Sequence, residues 1–160
     1  MSARMRLRRA DGRVYLDRWG IEGRWGGLFI HRMTAPDPGV DLHDHPWTFV
    51  TFPLADYEEQ RANIRHASAY ALMADVNPGV NHRGTLERVR RFRPRLMRLD
   101  ECHRITGLSR RSVWTIVVHG PKRRPWGFYL PDYWVHQREY GATVRAERRD
   151  MYDDINGAPT

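Results

Sequence analysis

The stretch Val40–Val50, "VDLHDHPWTFV", sets two histidines one residue apart just before an apolar run. In an extended chain, side chains two apart point to the same face. His43 and His45 therefore project together, and Asp44 between them points away. Two imidazoles about 7 Å apart along a strand that rises ~3.3 Å per residue can converge on one ion, and imidazole suits zinc, copper, iron and nickel. For the bare pair, a solvated strand end beside Pro46 is the plainer reading. The spacing alone leaves both readings open. The residues that follow, "WTFVTFPL", are β-branched and aromatic on both faces, as in a central strand of a sandwich or barrel.

Working outward, "RVYLDRW" (Arg13–Trp19) alternates apolar and polar residues, and "GLFIHRM" (Gly27–Met33) follows the turn signal Gly26-Gly27. "TAPDPGVD" carries two prolines and a glycine within four residues and reads as a loop. "DYEEQRA" reads as a more exposed strand. "LERVRRFRPRLMRL", "ECHRIT", "SVWTIVVHG", "WGFYL" and "YWVHQREY" are all short and strand-like. Residues 62–85 form an expected insertion, because loops of that length in compact domains carry function or stay disordered. The expected organisation is one domain over 1–142 and a tail over 143–160. Many short strands at close spacing point to an all-β sandwich or barrel. Its expected core is Phe29, Trp47, Phe49, Val50, Phe52, Trp114, Ile116, Val118 and Phe128.

The bulk composition narrows the function classes. The chain has 160 residues, enough for one domain with a real core. No apolar run approaches the roughly 18 residues needed to cross a bilayer, and the basic start "MSARMRLRRADGR" has no apolar stretch after it. A cytoplasmic protein without a membrane partner is the expectation. Cys102 is the single cysteine, which excludes an intrachain disulfide and a multi-thiolate zinc site. Any metal must then rest on imidazole and oxygen ligands. The net charge is +8, and of 27 basic residues only Lys122 is a lysine. That skew is explained more simply by the codons of a GC-rich genome than by selection for phosphate contacts. Nucleic acid stays as the lesser alternative among partners, since a basic surface attracts polyanions.

"DLHDHPWTFVTFPLADYEE", followed after an interval by "RLMRLDECHRITGLSRRSVWTIVVHGP", resembles the cupin superfamily. The resemblance implies a single-domain double-stranded β-helix (jelly-roll) barrel. It implies a metal inside that barrel on an H-x-H from an early strand and one histidine from a later strand. Residue by residue, this carries His43 and His45 onto the first motif and His103 onto the second. Gly39 stands near the glycine that opens the first motif. The end, "HGPKRRPWGFYLPDYWVHQREY", is similar to small cupin-like proteins of phage and bacterial genomes. Two departures stand out. The carboxylate of the first motif falls at Phe49 or Val50, and the asparagine of the second falls at Gly107. Three histidines without the glutamate resemble the site of thiol dioxygenases, a cupin branch that uses ferrous iron. The implied cofactor is one divalent transition metal, Fe(II) first, with Zn, Ni or Mn as alternatives. The implied activity is an oxygenase acting on a small molecule inside the barrel. A binding module for a small anionic ligand or nucleotide, and a metal-free sugar-type isomerase or epimerase, are the alternatives. Edge-to-edge pairing into a homodimer is open.

The remaining candidates divide by strand parity. Tyr57 and Glu59 share a face, so Glu59 is a candidate ligand or acid/base and Tyr57 its neighbour. Solvated edge charges at Glu58 and Glu59 are the plainer reading. Cys102 must point opposite to His103 and reads as a buried structural thiol. His119 reads as a rim residue, His31 as a satisfied core or rim histidine, and His136 as packing, while His66 and His82 fall in the insertion. In "RVRRFRPRLMR", Arg88 and Arg90 lie on one face with Phe92, and Arg91 and Arg93 on the other. Most of that segment must be surface, with one inward arginine as a candidate clamp for a carboxylate or phosphate. Lys122, Arg123 and Arg124 form a weaker anion candidate.

Overall fold

The computed structural model describes residues 2–9, 12–64, 84–130 and 133–141. Within them the chain forms twelve strands: β1 Ser2–Arg8, β2 Val14–Gly23, β3 Gly26–Met33, β4 Leu42–His43, β5 Phe49–Pro53, β6 Tyr57–Asn63, β7 Thr85–Val89, β8 Arg95–Met97, β9 Glu101–Leu108, β10 Val113–His119, β11 Gly127–Tyr129 and β12 Trp134–His136. They make two antiparallel sheets of six, ordered β1-β2-β3-β10-β5-β8 and β12-β11-β4-β9-β6-β7. The fold is all-β, as the strand-like segments imply. Among the described residues no helix is long and apolar enough to cross a membrane.

The core has two clusters, of which the first joins the two sheets. Met33 and Val113 of one sheet pack with Tyr57, Val89 and Ile105 of the other, joined by Ala55. Phe29, Trp47, Phe49, Met97 and Val117 form the second cluster. The β2–β3 turn shows how closely the strands approach: Gly26 has φ 138°, and a Cβ there would lie 2.1 Å from the His119 carbonyl oxygen. Only glycine satisfies both constraints.

The expected core needs correction. Phe29, Trp47 and Phe49 are buried, and Val50, Ile116 and Phe128 are half-buried. Phe52, Trp114 and Val118 lie on the outer face and are exposed. The inner face of β10 is Val113, Thr115, Val117 and His119. A strand apolar on both faces carries no parity signal of its own. Here the inner row is the more polar one because it faces an interior cavity, while Trp114 stacks on Trp19 outside, with ring centroids 5.6 Å apart.

Three further expectations change. β6 lies inside its sheet, between β9 and β7. The segment over 86–99 is not one strand, because the chain turns at Arg91-Phe92, with Phe92 at φ 59°. The insertion over 62–85 is narrower at both ends: Ala62 and Asn63 belong to β6 and Thr85 to β7. Its interior (65–83, with His66 and His82) and the tail over 143–160 lie outside the described residues.

Candidate metal centre

β4 is two residues long, yet it decides the site. His43 pairs directly with His103 of β9 in the antiparallel register, and His45 follows just beyond the strand end. The ring centroids of the three lie 4.8–5.1 Å apart. His45 Nε2 and His103 Nε2 are 2.9 Å apart, and one nitrogen from each of the three rings falls within 4.8 Å of the others. Ligand nitrogens bound at about 2.0–2.1 Å around one ion are separated by roughly 3–3.5 Å, so this spread is that of a set ready to close on an ion. Among the described residues, these three form the one such group.

Electrostatics favour the neutral form of His43 and His45. Burial pushes the His43 and His45 imidazoles well below the usual histidine range, and the neighbouring histidines push them further. Neutral imidazole is the metal-binding form. Glu59 is buried behind His103: its Oε2 lies 3.0 Å from His103 Nδ1. The carboxylate accepts the Nδ1 proton, which leaves the Nε2 lone pair free toward the other two rings. Burial raises the Glu59 carboxyl, but the hydrogen bond from His103 and the neighbouring Arg95 outweigh it and hold it low. Arg95 Nε donates to Glu59 Oε1 at 3.0 Å and its other arm holds Glu87. Glu59 is therefore neither a solvated edge charge nor a member of the three-nitrogen set. Arg95 is the one arginine of its segment that turns inward, and it grips the protein's own carboxylates.

Asp44, pointing away as its position between the histidines requires, is fully buried and organises the other side of β4. It accepts hydrogen bonds from Gly127 N at 2.7 Å, Tyr129 Oη at 2.9 Å, Arg124 Nη2 at 2.9 Å and Trp134 Nε1 at 3.3 Å. Strand alternation predicts its direction but not these partners, which lie 80 to 90 residues away. Arg124 is thus spent on Asp44, and Lys122 pairs with Glu22 at 3.0 Å.

The histidines open on a cavity of about 670 Å³ between the sheets, whose lining includes Tyr57, Trp126 and Phe128. Tyr57 is buried, and burial with the Glu59 charge pushes its phenol far up, so it stays protonated and offers a hydrogen bond. Asp37, in the loop before β4, accepts from Ile105 N at 2.8 Å and lies 3.9 Å from His43 Nδ1. Nothing in "TAPDPG" marks it. His119 is no rim residue: it is buried between Trp47 and Phe29, at 4.1 and 4.7 Å between ring centroids. His31 also stacks on Phe29 and lines the cavity. His136 is half-buried beside Trp134. Cys102 is fully buried against the Ala62 carbonyl, and burial pushes its thiol up to about 12.

No protein-family model matches the chain, and no curated protein matches it. Solved structures do. HppE in its Fe(II) form superposes with a TM-score of 0.52 at 9% identity, covering 74% of this chain and 56% of that one. A variant of the Bacillus subtilis oxalate decarboxylase OxdC gives 0.53 at 8% identity, covering 99% of this chain and 37% of that one. The fold is cupin-like. At such identities the likeness speaks for architecture alone, and the chain spans about half the length of HppE. The cupin-like frame places the three histidines on its inner wall.

Proposed function

We propose that the protein is a metal-dependent oxygenase that holds Fe(II) on His43, His45 and His103 and acts on a small molecule in the cavity. The convergence of three imidazole nitrogens on one point of the cavity wall carries this reading. The donor set fits the ion: His43 and His45 held neutral by burial, no thiolate, and a carboxylate fixing the tautomer of the third ring. Three ligands leave up to three positions open, and ferrous iron there supplies redox chemistry toward dioxygen that the side chains cannot. The chain's own groups do the rest. Glu59 holds the proton at His103 Nδ1, and Trp126 and Phe128 keep bulk water from the rings, at 6.3 Å from His45 and 5.6 Å from His43. Tyr57 offers a hydroxyl proton inside the same cavity.

Anaerobic loading with Fe(II), metal analysis and oxygen-uptake screening against small-molecule panels test the proposal. One ion per chain is expected, falling to near none in His43→Ala or His103→Ala and unchanged in His136→Ala. A wild-type protein that retains no ion after loading, or one that loads iron and consumes no oxygen with any panel, counts against it.

A further inference from the structure

Arg18 stands two residues after Leu16 on β2, and Leu16 packs against the core, so alternation turns a guanidinium inward. Arg18 lines the cavity and lies 4.7 Å over the Phe29 ring. Its Nε donates to Nε2 of His31, its register partner on β3, at 3.2 Å. Among the described residues no carboxylate forms an ion pair with it, and its terminal nitrogens have no hydrogen-bond partner. The carboxylates around the cavity are engaged elsewhere: Glu22 by Lys122, Asp37 by Ile105 N, and Asp41 by Tyr140 Oη at 2.9 Å. Glu22 acts on Arg18 only through space while it is paired with Lys122, and a part-buried arginine with no direct ion pair is costly to keep. Its planar fork is shaped to take two oxygens of an oxyanion at once.

We infer that Arg18 is the anion-binding residue of the cavity, its two terminal nitrogens receiving a carboxylate or phospho group of the small molecule while His31 fixes the guanidinium plane. That this anion belongs to a substrate rests on the oxygenase reading, whereas the anion site rests on Arg18 alone. His31 is a positioning residue. It accepts the Arg18 Nε proton and must therefore be neutral, as its burial beside Arg18 enforces. Arg18 lines the same cavity as His43, His45 and His103, so one small molecule can span the cation and the open side of the histidine cluster. Apolar walls such as Phe49 and Ile105 take the remainder of such a molecule.

Calorimetric titration with phenylacetate, benzylphosphonate and the uncharged phenylacetamide tests this, on zinc-loaded and chelator-treated protein. At least one acid should bind tenfold or more tightly than the amide, and which acid does so separates carboxylate from phospho recognition. Arg18→Gln should bring that ratio to within twofold with metal content unchanged, and His31→Gln should lower it in part. If Arg18→Gln does not fold, the wild-type acid-to-amide ratio decides alone, and a ratio near one overturns the inference. A ratio that survives in Arg18→Gln but disappears on chelation puts the anion on the metal, which overturns the Arg18 assignment while sustaining the metal site. A ratio that persists after chelation and is lost in Arg18→Gln upholds Arg18 even if the oxygenase reading fails.

Discussion

Glu59 and Asp44 are buried carboxylates with opposite duties. Glu59 tunes one imidazole, so Glu59→Gln, which keeps the volume but removes the charge, should weaken metal affinity about 10–100-fold, as read by competition with a chelating dye. Asp44 joins β4 to the segments around β11 and β12 through four hydrogen bonds. Asp44→Ala strands the partly buried Arg124 and should cost about 3–5 kcal/mol in urea unfolding. His31 adds a dependence on acidity. Burial, then Arg18, holds its imidazole at about 3, against about 6.5 in an unfolded chain. Below neutrality the unfolded chain takes up a proton that the folded one refuses, so stability falls with pH. Between pH 7 and pH 5 the loss attributable to His31 is about 2 kcal/mol. His31→Gln should flatten the urea midpoint by that amount over the same interval, and an unaltered slope would assign the effect elsewhere.

At the scale of the element, β10 offers a sharp comparison. Val113 is fully buried and Val118 is 46% exposed, though both are valines of one strand. Val113→Ala should cost about 1.5–3 kcal/mol, whereas Val118→Thr should stay within about 0.5 kcal/mol, both by thermal or urea unfolding. The same strand marks where sequence reading stops. Its existence is plain from "SVWTIVVHG", but Trp114, Ile116 and Val118 look at least as core-like as Val113, Thr115 and Val117. Facing depends on what lies across the sheet, and a polar-lined cavity inverts the usual rule. β1 escapes notice because its arginines on one face, Arg4 and Arg6, read as a basic tail. Both instead reach Asp17 on β2. The H-x-H, by contrast, is legible because its geometry is local: two side chains, one face, one intervening residue. The brace behind His103 is not, since Glu59 and Arg95 are ordinary surface residue types until the pairing of β6 with β9 sets Glu59 beside His103 and β8, in the opposite sheet, brings Arg95 to it.

Across the whole molecule, the positive charge is interleaved with acid. Asp17 gathers Arg4, Arg6 and Arg32, Asp56 holds Arg88, and Arg61 lies between Glu59 and Glu101. A surface of this kind presents short patches to a polyanion. Binding to duplex DNA at physiological salt is therefore predicted at about 10⁻⁴–10⁻⁶ M, measurable by fluorescence anisotropy. Sub-micromolar affinity with a steep salt slope would move the protein's business from its interior to its surface.

The direct pairing of His43 with His103 has one more consequence. A slip of β4 by one position along β9 would set Cys102 or Arg104 opposite His43 and turn both imidazoles of the H-x-H away from the face of His103, because neighbouring residues of a strand face opposite ways. Ion capture is thus a gauge of register. A refolding chain that has collapsed with β4 out of step has secondary structure but no grip on metal, and the moment at which metal becomes tightly held in a stopped-flow trace dates the moment at which those two strands find their proper alignment.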